Sequence, residues 1–70
     1  MSKRAKALDH VALLVDQGKW IAGTTGTVLE TFPDAAYVEL VGPDGKTLDL
    51  ITVPYADLKV LTSGDQQVAV

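Results

Sequence analysis

Apolar and polar positions alternate in short runs broken by turn chemistry, and nowhere do they keep a helical period for long. His10 to Val15 is rich in Val and Leu, too short for a stable helix and stopped by Asp16-Gln17-Gly18, so it predicts a first strand. Asp16 to Gly26 holds Gly18, Gly23, Gly26, Thr24, Thr25 and the single Trp, and predicts a long loop. From Thr27 to Phe32 the β-branched and aromatic residues return, and Pro33-Asp34 stops them. Ala36 to Val41 predicts a third strand. In Gly42-Pro43-Asp44-Gly45, Pro and Asp suit the central positions of a type I turn and Gly45 suits the left-handed position of a bulged hairpin loop. Lys46 to Val53 follows as the fourth strand and ends at Pro54. Tyr55 to Leu58, just behind that proline, predicts one 3₁₀ turn. Lys59 to Leu61 predicts a brief fifth strand, and residues 62–70 a loose tail or one that pairs only in an oligomer.

Five short strands, a long first loop, a tight middle hairpin and a one-turn helix before the last strand predict an all-β fold, a small SH3-like barrel over residues 7–61. A flat sheet this small exposes long edges and one apolar face, whereas curling it buries the inner face and pairs most of the edges. With a three-residue loop at Pro43-Asp44-Gly45, Gly42 faces Lys46, Leu40 faces Leu48, Glu39 faces Asp49 and Val38 faces Leu50. Val38, Leu40, Leu48 and Leu50 then line the inner face with Leu13 and Leu58. The same counting around Pro33-Asp34 sets Glu30 beside Glu39, so Glu30, Glu39 and Asp49 form an acidic row across three strands. Such a row either meets a basic partner or is a solvated face that keeps the sheet soluble.

Charge sharpens this picture. The chain has 70 residues, 6 basic and 9 acidic, but Lys3, Arg4 and Lys6 crowd the N-terminus, leaving an acidic body behind a basic, flexible head over residues 1–6. Only Lys19, Lys46 and Lys59 remain to neutralise phosphates, which argues against nucleic acid as the partner. No apolar run approaches the roughly 18 residues of a membrane span, and the polar start is unlike a signal peptide, so a cytoplasmic protein is expected. A chain this short buries only roughly 60% of the surface of its unfolded form, and without Cys it has no disulfide or thiolate metal site to help. Leu13-Leu14, Val28-Leu29 and Leu50-Ile51 also place large side chains on both faces. That surplus either closes the barrel ends at bulges or forms an interface, for which a homodimer is the simplest form.

Catalytic patterns are sparse. His10 is the lone imidazole, distant in sequence from Thr24, Thr25 and Ser63, and no Ser sits on a strand-to-helix elbow. Gly23-Thr24-Thr25-Gly26 lacks the Lys and the following helix of a phosphate loop. A row of carboxylates without a wrapping loop is a poor cation site. We therefore expect no catalytic, metal or cofactor residues. Trp20 with Phe32, Tyr37 and Tyr55 suggests either an aromatic peptide groove or, for Trp20, a cap over the barrel end. The expected partner-binding residues are Glu30, Glu39, Asp49 and Trp20, on a protein-interaction module of antitoxin- or immunity-like type.

Several of these segments resemble the bacterial family catalogued as domain of unknown function 4926: the Leu13-Leu14 strand, Ala22 to Val28, Phe32-Pro33-Asp34, the Gly42 to Gly45 turn, Leu48 to Val53, and Pro54 with Asp57-Leu58. That resemblance implies a small SH3-like barrel and carries no function. Gly18 to Val28 also resembles the KOW motif of ribosomal and transcription-elongation proteins, which implies nucleic-acid or ribonucleoprotein binding. KOW domains that bind RNA are typically basic, and this body is acidic.

Overall fold

The computed structural model describes residues 4–62. It is all-β: β1 (His10–Leu13), β2 (Thr25–Thr31), β3 (Ala35–Val41), β4 (Thr47–Pro54) and β5 (Leu58–Thr62), with a 3₁₀ turn at Tyr55–Asp57 between the last two. The strands form one antiparallel sheet in the order β4-β3-β2-β1-β5, so the first and last strands of the chain are neighbours and β4 and β5 are the edges. This is the SH3-like barrel order, with the 3₁₀ turn joining the two edge strands. Of the predicted tail, Thr62 belongs to β5, and the rest lies outside the described residues, as does the start of the basic head.

The core lies on one face of this sheet. Val11, Leu13, Val28, Ala36, Val38, Leu40, Val53 and Leu58 are buried there, and Ala5 joins them from the N-terminal arm. Two bulges let the sheet bend: one at Leu29, which has no partner on β3 between Val28↔Val38 and Glu30↔Tyr37, and one at Leu48, between Val41↔Thr47 and Leu40↔Asp49. A bend this tight also needs Gly26. A Cβ placed there would stand 2.4 Å from the Glu39 carbonyl oxygen, so only glycine lets β2 approach β3 at that point.

The bulge at Leu48 corrects the register expected from the turn. Gly42 does face Lys46, with the Gly42 N–H donating to the Lys46 carbonyl at 3.0 Å. The extra residue then shifts every later pair by one, so Leu40 faces Asp49, Glu39 faces Leu50 and Val38 faces Ile51. Because the side-chain period of a strand is two, this shift reverses the faces of β4. Leu48 and Leu50, expected inside, are 41% and 47% exposed, while Asp49, Ile51 and Val53 share the face of buried Leu40, Val38 and Ala36. The acidic row is broken too: the register of β2 on β3 pairs Glu30 with Tyr37 instead of setting it beside Glu39, and the bulge at Leu48 turns Asp49 to the opposite face.

The described part of the N-terminal head is packed against the barrel. The Arg4 guanidinium lies 4.2 Å from the centre of the Tyr55 ring and donates to the carbonyls of Phe32 and Pro33. The Tyr55 hydroxyl donates to the same Phe32 carbonyl at 2.6 Å. Asp9 is buried, and its carboxylate accepts the Lys6 N–H at 2.9 Å. On either side of it the backbone docks to β2: Leu8 N–H donates to the Val28 carbonyl and Val28 N–H to the Asp9 carbonyl.

Candidate functional site

The first loop is ordered by its own hydrogen bonds. Gln17 and Trp20 exchange both backbone bonds, at 2.8 and 2.9 Å, closing a two-residue turn over Gly18 and Lys19. Gly18 has φ +57° and Lys19 a negative φ, the combination of a type II′ hairpin turn with glycine in first place. Behind this tip Asp16 accepts the Ala22 N–H at 2.8 Å, and the Thr24 hydroxyl donates to the Ile21 carbonyl at 2.7 Å. Leu14 and Val15, expected in the first strand, leave it here. The Leu14 N–H donates to the Asp57 carbonyl at 2.8 Å, and Gln17 Nε2 reaches the Asp57 carboxylate at 3.0 Å, so the loop is fastened to the 3₁₀ turn.

This framework delivers Trp20 to β4. Its Nε1–H donates to Asp49 Oδ2 at 2.8 Å, while Asp49 Oδ1 accepts the Leu50 N–H at 2.8 Å. These two bonds, the indole first, together with the nearby Lys19 charge, hold the Asp49 carboxyl below its ordinary value of 3.8. Lys19 Nζ stands 5.0 Å from the centre of the indole, within cation–π range. Between the loop tip and β4 lies an open groove of about 260 Å³, lined by Gln17, Gly18, Lys19, Trp20, Asp49, Ile51 and Thr52. Trp20 and Ile51 also pack against the core, so the apolar side of the groove is an extension of the barrel interior.

Of the four residues expected to bind a partner, the fold brings Trp20 and Asp49 into contact and places Glu30 and Glu39 on the other side of the sheet. Glu39 is flanked by Thr27 and Leu50, and accepts the Thr47 hydroxyl. Glu30 is exposed beside Tyr37. The aromatic residues do not converge: Phe32 and Tyr55 meet Arg4 at the β2–β3 turn, Tyr37 shares the Glu39 face, and Trp20 stands alone at the groove. His10 pairs with Thr27 and Thr62 on the Glu39 face, and the Thr24 hydroxyl is engaged within its own turn. Asp9 was missed by sequence reasoning, although an acid three residues after Lys6 and just before an apolar run is a turn-forming position.

Compared with protein-family models, curated proteins and solved structures, the chain matches none. Among the described residues no helix is long and apolar enough to cross a membrane.

Proposed function

We propose that the protein is a non-catalytic interaction module whose acidic sheet face receives a basic protein partner. The observation that carries this reading is the composition of β2, β3 and β4. These three adjacent strands contain Glu30, Glu39 and Asp49 and no Lys, Arg or His. Glu30 and Glu39 project on the face opposite the core, each directly across from an apolar or aromatic side chain, Tyr37 and Leu50. Carboxylates set among exposed apolar groups suit a partner surface that alternates basic and apolar residues, and complementary charge of this kind steers association and fixes register. Asp49 no longer belongs to that face; its role is to hold Trp20. An antitoxin- or immunity-type neutraliser of a basic protein is one role such a module fills.

The test pairs Glu30→Lys with Glu39→Lys. Both positions are at the surface of the sheet, so the double variant keeps its fold. Once the cellular partner has been captured and purified, its affinity for the double variant should fall at least about tenfold and lose its salt dependence. Unchanged affinity overturns the reading.

A further inference from the structure

Hydrogen-bond parity leaves part of β4 open as a docking strand. The N–H and C=O of Val28 bond to Asp9 and Leu8, away from β3, so Val28↔Val38 is a non-hydrogen-bonded pair. Alternation then turns the polar groups of Glu39 towards β2, in agreement with the close approach of the Glu39 carbonyl oxygen to Gly26. Glu39 therefore makes no ladder bonds to Leu50 across from it, nor Tyr37 to Thr52, and the backbone groups of Leu50 and Thr52 face the free edge of the sheet. Pro54 fits the same parity, since its missing N–H falls on that free side.

Edge strands are usually guarded by Lys, by bulges or by cover. β5, the other edge, carries Lys59 and a bulge at Leu61. β4 has no basic residue; its own guards, the bulge at Leu48 and Pro54, lie near its two ends, and the pairing from Asp49 to Val53 between them is regular. One of its edge groups is capped: the Leu50 N–H is held by Asp49 Oδ1. That leaves the Leu50 carbonyl and both backbone groups of Thr52, beside the groove that Trp20, Ile51 and Thr52 itself help to line.

We propose that an extended segment of the basic partner adds as a sixth strand along β4, bonding to Leu50 and Thr52, with apolar side chains in the Trp20–Ile51 groove and basic ones over Leu50 towards Glu39. The inference rests on the reading of the acidic face and specifies how the partner meets it. An added strand alternates its side chains between the two faces, which here are an apolar groove and an acidic surface, so the segment that fits alternates apolar and basic residues. Glu39 lies two strand spacings, about 10 Å, from such a segment, within reach of a Lys or Arg whose stem covers Leu50.

The probe is a short capped peptide of alternating lysine and valine, compared with a block peptide of the same composition. The alternating peptide should bind, slow exchange of the Thr52 amide at least about tenfold, and be weakened about tenfold by Thr52→Pro. Thr52→Pro removes a donor that faces the free edge, and protection of the Thr52 amide in the unaltered chain reads the same contact should that variant fail to fold. No binding, equal binding of the block peptide, or binding that leaves Thr52 unprotected overturns strand addition. A partner weakened by the double Glu variant but indifferent to Thr52→Pro also overturns it, while leaving the acidic-face reading intact. Indifference to the double Glu variant overturns that reading itself. A dimer in which the Thr52 amide is protected without peptide makes a second copy the occupant and overturns the proposal.

Discussion

Asp49 is the residue on which loop, edge and groove converge. Its carboxylate accepts from Trp20 and from the backbone of Leu50, and both bonds favour the ionised form. A carboxyl held below its ordinary value in the folded chain contributes stability that is present above that value and lost as the pH falls through the lowered one. The Trp20–Asp49 bond should therefore survive to below pH 3.8 and break on further acidification. Trp20 is the only Trp, so its fluorescence reports the event directly. A transition with its midpoint below 3.8, absent from Asp49→Asn, is the expected result; a midpoint above 3.8 would exclude this assignment. Gly26 decides a different matter at the same scale. Gly26→Ala forces a methyl group against the Glu39 backbone, which cannot rotate away as a side chain can, so denaturant titration should show a loss of about 3 kcal/mol or a chain that no longer folds. Near-unaltered stability there would mean that β2 and β3 can separate without loss.

At the scale of the element, β4 shows where the sequence was legible and where it was not. The elements themselves were readable from turn chemistry: Gly42 to Gly45 closed the hairpin, and Pro54 preceded the 3₁₀ turn. The faces of β4 were not, because Leu48-Asp49-Leu50-Ile51 alternates imperfectly and one bulge decides which set points inward. Leu50 and Ile51 are equally apolar, so burial of either was compatible with composition. The Trp20–Asp49 contact was hidden for the same reason, since it joins residues 29 apart through a register that no local pattern specifies. Both residues stood among the candidates, yet only the fold shows that they meet each other and not Glu30 or Glu39. Proline substitution distinguishes the two sides of β4. Thr52→Pro places the missing N–H on the free edge and should cost no more than about 1 kcal/mol, whereas Ile51→Pro removes a ladder bond to Val38 and should cost about 3 kcal/mol or more. Equal losses in thermal or denaturant unfolding would refute the assigned parity.

For the whole molecule the question is how a core this small suffices. The buried side chains are mostly Val, Leu and Ala, with no disulfide to restrict the unfolded chain, and domains of this size keep a margin of only about 3–5 kcal/mol. The N-terminal arm closes the barrel where the sheet itself ends. Ala5 completes the core, Asp9 holds the arm in a turn, and Arg4 clamps Tyr55 to the carbonyls of the β2–β3 turn, thereby linking that turn to the segment between β4 and β5. The basic residues counted as a charge on a loose head are thus in part a structural clasp, and Arg4 is not available for phosphate binding while it serves there. Removal of residues 1–6 takes away Ala5, the Arg4 contacts and the Lys6 N–H that satisfies the buried Asp9 carboxylate. Loss of that hydrogen bond to a buried carboxylate, together with the lost packing, should cost about 2–3 kcal/mol, a large share of the total. In urea unfolding the shortened chain should show a lower midpoint with little change in slope, since nearly the same sheet is exposed on unfolding. An unshifted midpoint would mean that the barrel closes without its arm.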